Sequence, residues 1–202
     1  MKTSLITFAI LLIYSTNFIS TVIAQNVNYD LKEFKLSVNG TSTLHDWECV
    51  SDQIKAETSF KNGTGYINKI SRLRVLIPSS SLKSGKKLMN KKMQTALKAG
   101  SYPEIEFEIK ETINLEKSGS VMVIGDLTIA GITKIISFNL VYDQPNIGDI
   151  IFTGSKDLKM TDFQIIPPEV LMGSIKTGDE ITIEFQVSFK RKEQNINIIK
   201  TK

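Results

Sequence analysis

The sequence predicts an all-β, antiparallel fold on three observations. Apolar residues recur at period two in run after run, turn-forming residues separate these runs at short intervals, and only one segment has helical spacing. Period two sends alternate side chains to opposite faces of a strand, so each run has one dry face and one wet face.

The chain begins with Lys2, an apolar stretch from Leu5 to Ile13, and a small-residue site at Val22-Ile23-Ala24. That order predicts a signal peptide over residues 1–24, cleaved after Ala24, and a periplasmic or secreted product. Tyr14, Ser15, Thr16 and Asn17 interrupt the apolar stretch and make it a poor membrane span. A lipoprotein anchor needs a cysteine just after that stretch, and the only cysteine is Cys49. A lone cysteine also excludes an internal disulfide, so packing alone must hold the fold. Residues 25–190 are enough for one domain with a hydrophobic core, followed by an aperiodic tail over 191–202. The formal charge of +4 at pH 7 is too mild, for an exported chain, to point to nucleic acid.

The strands follow in order. Phe34, Leu36 and Val38 alternate, then Ile54, Ala56, Thr58 and Phe60, then Leu73, Val75 and Ile77 before Pro78 stops the run. Ile105, Phe107 and Ile109 alternate with Glu104, Glu106, Glu108 and Lys110. Val121, Val123, Leu127 and Ile129 share one parity, with Gly125 among them as an expected bulge or bend. Ile136, Phe138, Leu140 and Tyr142 form the next run, and Ile181, Ile183, Phe185, Val187 and Phe189 the longest. Turn chemistry separates them at 62–65, 117–119, 130–131, 145–148 and 176–179. The connections are short, which favours antiparallel neighbours. Eight or nine such strands must stack as a sandwich or close as a barrel, and the pattern alone leaves both open.

The segment Ser84 to Lys98 breaks the β rhythm. It places Met89, Met93, Ala96 and Leu97 on one face of a short amphipathic helix, with Ser84 as the expected N-cap and Gly100 as the stop. The other face carries Lys86, Lys87, Lys91, Lys92 and Lys98. It reads first as a solvated face and second as a transient contact for an anionic membrane surface.

Three stretches in order resemble the YceI-like family. They are Gly40-Thr41-Ser42-Thr43-Leu44-His45-Asp46-Trp47; Leu82-Lys83-Ser84-Gly85 running on to Tyr102-Pro103-Glu104-Ile105; and Gly125-Asp126-Leu127-Thr128-Ile129-Ala130-Gly131 with Met160-Thr161-Asp162-Phe163 and Thr177-Gly178-Asp179-Glu180 beyond it. The resemblance implies a single lipocalin-like antiparallel β-barrel of about eight strands with one helix, holding a polyisoprenoid or similar lipid in its lumen. It favours the barrel over the sandwich.

On that reading the expected lumen residues are Phe34, Leu36, Leu73, Val75, Ile105, Phe107, Ile109, Phe138, Leu140, Ile183 and Phe185, with His45 as a polar handle. A lumen of this composition favours an alkyl or prenyl chain by about 0.8 kcal/mol per buried methylene. The same residues would equally build a solid core in a module that acts through its surface.

Chemistry has little to attach to. His45, Trp47 and Cys49 share a strand parity, yet two candidate ligands do not make a tetrahedral metal site. Four positions along a strand hold His45 and Cys49 about 13 Å apart, too far for nucleophile activation. No nucleophile elbow, zinc-protease motif or phosphate loop occurs. The expectation is a non-enzyme without metal or cofactor. Glu104, Glu106 and Glu108 read as a wet strand face, and Pro167-Pro168 with Val170-Leu171-Met172 as a flap or crossover loop beside the mouth.

Overall fold

The computed structural model describes residues 26–27, 29–63, 65–170 and 173–192; the expected signal peptide and residues 193–202 of the tail lie outside them. The described chain forms thirteen strands in one antiparallel sheet, eight of them six residues or longer. These eight are β2 (Tyr29–Ser42), β4 (Lys55–Asn62), β5 (Ile67–Pro78), β7 (Glu104–Ile109), β9 (Ser118–Ile129), β10 (Ile132–Asp143), β11 (Asp149–Lys159) and β13 (Ile175–Arg191). The short strands are β1 (Asn26–Val27), β3 (Trp47–Ser51), β6 (Leu82–Lys83), β8 (Ile113–Asn114) and β12 (Glu169–Val170).

The ladder runs β4-β5-β7-β9-β10-β11-β13-β2-β3-β6, so the sheet curls until its two ends approach. β1 pairs with β4 and lies one residue ahead of β2, which pairs with β13 at the other end of the ladder. This part of the chain therefore ties the two ends of the curl together. Tyr29 adds a side-chain tie by donating its hydroxyl to Asn62 Oδ1 at 3.0 Å.

The alternation read from sequence holds across the curl. Ala130 and Gly131 form a two-residue hairpin between β9 and β10, both with positive φ (50° and 82°), as a type I′ turn demands. On the outer face Glu106 and Glu108 of β7 are paired across the sheet. Arg74 donates to both oxygens of Glu106 at 2.5 and 3.0 Å, and Arg72 lies 3.7 Å from Glu108. The Arg74 guanidinium holds the Glu106 carboxyl below its ordinary range. These acids serve a charged, wet strand face.

Four local expectations are corrected. Lys176-Thr177-Gly178-Asp179 is not a turn but the start of β13, where the ladder with β2 slips between Thr177 and Ile181. Asp179 of this bulge accepts from the backbone N–H and hydroxyl of Thr161 at 2.9 and 2.6 Å. The helix α1 spans Lys87–Ala96 with Lys86 rather than Ser84 at its N-cap; Ser84 instead donates its hydroxyl to Asn90 Oδ1. The turn after α1 is made by Lys98, with φ of 51°, ahead of the expected Gly100.

The fourth correction concerns Gly125, which makes no bulge: the β9–β10 ladder passes through it in register. A Cβ there would enter the Phe107 ring and sit 2.7 Å from the Glu108 carbonyl oxygen. Glycine is required for close approach, because the ring edge takes the space a Cβ would fill. Gly154 on β11 provides the same space for Phe185, its cross-strand neighbour. Gly125→Ala should therefore destabilise by about 1–3 kcal/mol through overpacking. In a domain of this size, thermal unfolding should show a Tm lower by about 2–10 °C.

Candidate functional site

The interior of the curl is divided by height. Phe107 on β7, Phe138 on β10 and Phe185 on β13 meet edge to face or tilted, with ring centroids 5.6 and 5.8 Å apart, and cross the lumen as a belt. These three strands run in the same direction, so residues two positions before and after each ring lie on opposite sides of the belt. Ile109, Leu140 and Val187 on one side join a packed cluster with Tyr29, Phe60, Ile70, Ile150, Phe152 and Phe189. Ile105, Ile136 and Ile183 on the other side face a second cluster built around Leu82, Leu97, Ile129, Met160 and Phe163.

The packed half is closed by Gln144, which is 1% exposed yet fully bonded. Its Nε2 donates to the carbonyls of Ile67 and Glu116, each at 2.8 Å, and its Oε1 accepts from the Ile67 N–H at 2.7 Å. A buried amide so satisfied ties the end of β10 to the start of β5.

The second half is hollow. A cavity of about 360 Å³ opens beside α1, at the low end of the usual size of ligand sites, about 300–1,000 Å³. Its walls are Leu36, Val38, Cys49, Ile77, Ile105, Ile129, Ile181 and Ile183 from the strands, and Met160, Phe163 and Ile165 from the connection between β11 and β12. Met89, Met93, Ala96 and Leu97, the apolar stripe read from sequence, cover it from the helix. Pro168 and Ile175 bring the β12–β13 hairpin to the same opening; Leu171 and Met172 lie outside the described residues.

Three of the eleven expected lumen residues, Leu36, Ile105 and Ile183, line this cavity. Phe107, Phe138 and Phe185 form the belt beneath it. Leu73, Ile109 and Leu140 belong to the packed half. Phe34 and Val75 are half-buried opposite Val187 and Phe107, away from the cavity. Val38 and Ile181 carried the right parity in sequence, whereas Met160, Phe163 and Ile165 sit in a segment without period.

His45 lies at the mouth, exposed, with Nδ1 2.6 Å from the Asp46 carbonyl oxygen and Nε2 3.4 Å from Lys86 Nζ. An ammonium has no lone pair, so Nε2 must accept and Nδ1 carries the proton. Trp47 lies over Gly40, its cross-strand partner, and donates Nε1–H to the Thr41 carbonyl at 2.9 Å. Leu44 and Leu88, 66% and 64% exposed, stand at the rim. Among the described residues no three His, Cys, Asp or Glu side chains cluster to hold a metal. A wider depression on the outer side of the sheet is open to solvent and lined by charges of both signs, including Glu48, Lys134 and Asp157.

Cys49 is fully buried at the cavity wall, opposite Val38. Burial, with the nearby Glu48 charge adding to it, pushes its thiol from 9.0 up to about 11. Such a thiol is a poor nucleophile. The folded chain keeps a proton that the unfolded chain loses between pH 9 and about 11, so this residue's contribution to stability falls as pH rises through that window. The loss should be on the order of 2 kcal/mol. Urea midpoints of the wild type should drop more steeply from pH 8 to 10.5 than those of Cys49→Ala, and parallel curves would contradict the assignment.

Comparison with known proteins agrees with this architecture. Burkholderia cenocepacia BcnA superposes with a TM-score of 0.64 at 20% identity, covering 79% of this chain and 99% of its own. A polyisoprenoid binding domain from Saccharophagus degradans gives 0.64 at 13% identity, covering 82% and 99%. The Campylobacter jejuni YCEI protein gives 0.52 at 19% identity, covering 87% and 91%. At these identities the likeness is one of fold. No curated protein matches the chain in sequence. The YceI-like domain model, however, matches residues 24–189, nearly the whole length, and the chain belongs to the YceI-like family.

Proposed function

We propose that this chain binds a lipid-like apolar molecule, an isoprenoid or a related chain, and carries or stores it in the periplasm. The observation that carries this reading is the hollow half of the barrel, whose walls are aliphatic almost throughout and whose floor is the aromatic belt. Burying an alkyl or prenyl chain there gains about 0.8 kcal/mol per methylene and requires no reacting group. The function is then enclosure, without catalysis, metal or cofactor. Leu36, Ile105 and Ile183 touch the chain's sides, and Phe107, Phe138 and Phe185 meet its end. The Saccharophagus degradans relative, described as a polyisoprenoid binding domain, supports the ligand class. Residues 1–24 act as the export signal, residues 25–190 as the binding domain, and residues 191–202 as a tail.

Native mass spectrometry of the mature protein from its own periplasm, followed by organic extraction, tests this reading. A discrete added mass that extracts as a prenyl or acyl lipid is the expected result. An apo mass that stays unchanged after incubation with isoprenoid lipids would instead favour a module acting through its surface.

A further inference from the structure

We propose that the bound chain ends in an anionic group, a carboxylate or phosphate, held at the cavity mouth by Lys86 and Lys92. This deepens the enclosure reading and rests on it. Every charged side chain that lines the cavity is a lysine, and no Asp or Glu lines it.

Among the described residues some lysines are paired with a carboxylate. Lys83, Lys110 and Lys176 lie 2.6, 2.9 and 3.5 Å from Asp52, Asp126 and Glu169. Among the described residues no carboxylate pairs with Lys86 or Lys92, and the polar neighbour of Lys86 Nζ is the imidazole of His45. Lys92 follows Met89 by three residues and precedes Ala96 by four, so it shares their helical face. Its aliphatic stem can run along the apolar wall while the ammonium reaches the opening.

An anion at that point meets two exposed cations beside an apolar wall, an attraction that weakens as salt is added. Thr177 lines the same cavity and supplies a hydroxyl donor. The first turn of α1 adds to the same field, having neither an acidic residue nor a side-chain cap. The cavity therefore discriminates at both ends, with apolar walls for the chain and unpaired cations for its head.

The test uses the chain's single tryptophan, Trp47, which lines the cavity and reports occupancy by its emission. The full mature protein is titrated with dodecanoate, dodecyl phosphate and dodecanol, which share a chain and differ in the head. Both anions should bind about tenfold or more tightly than the alcohol, as charge-assisted hydrogen bonds imply. The Lys86→Gln/Lys92→Gln double variant should bring the anions to the level of the alcohol and leave the alcohol unchanged.

Equal binding of all three to wild type and variant would overturn the head-group proposal and leave enclosure standing. Binding of none would remove enclosure itself. If the double variant lost the alcohol too, the lysines would be holding the mouth in shape rather than recognising a head. Inorganic phosphate alone that changed Trp47 emission at the same concentrations would place a free anion site there instead. A final arm uses phosphatidylglycerol vesicles: lysine-dependent co-sedimentation without any preference among the three dodecyl probes would assign the lysines to a bilayer and overturn the proposal.

Discussion

Ile183→Trp is expected to abolish binding of an apolar chain while the protein stays folded. Ile183 lies one position above the belt on β13, two residues before Phe185, and faces the cavity with Leu36 and Ile105. An eight-stranded barrel has room inside for side chains or for one slender ligand. An indole standing in that space takes the place of the chain. Because the site is hollow, the larger side chain enters empty volume and avoids most of the overpacking that a filled core would impose. Circular dichroism should be unchanged and lipid should be lost from the native mass spectrum. A variant that retained its lipid in full would move the binding site out of the cavity.

Phe60→Ala is expected to have the opposite signature. Phe60 is 1% exposed at the centre of the packed half, with ring centroids 5.1 Å from Tyr29, 5.4 Å from Phe189 and 6.3 Å from Phe152. Truncating a buried phenylalanine costs about 3–5 kcal/mol, and these aromatic contacts, two of them edge to face, place it toward the upper end. Chemical denaturation should show the loss as a lower midpoint. Whatever fraction stays folded should keep its ligand affinity, since Phe60 lies on the far side of the belt from the cavity. A change in ligand affinity matching the change in stability would show that the two halves are coupled after all.

The contrast between these variants explains which parts of the site were legible in sequence. Strand faces were legible because a side chain's face is fixed by its own position, and Ile105, Phe107 and Ile109 pointed inward as their alternation required. Height along the barrel axis was not legible. Whether an inward residue meets cavity, belt or packed core depends on the register of strands distant in sequence, so Leu140 and Ile183 looked alike.

The glycines show the same limit. Gly125 and Gly154 look like interruptions, and their reason is a ring from a neighbouring strand. The segment 176–179 has turn composition because a β-bulge and a turn both need residues with little steric demand, and only the partner strand distinguishes them. Met160, Phe163 and Ile165 were not read as lining residues because their short 3-10 turn and loop have no strand or α-helical period to betray an inward face. The helix was readable to within a turn, since its apolar stripe is local.

The belt also acts as a ruler. Two of its rings, Phe107 and Phe185, are seated on Gly125 and Gly154, so the floor sits at a fixed depth and cannot sink without the backbone giving way. Each methylene added to a guest gains free energy only until its tip touches Phe138 and its neighbours. Beyond that length the surplus must trail out past Leu44 and Leu88 into water. Affinity should therefore climb with chain length and then level off, at a length set by two glycines that touch no ligand.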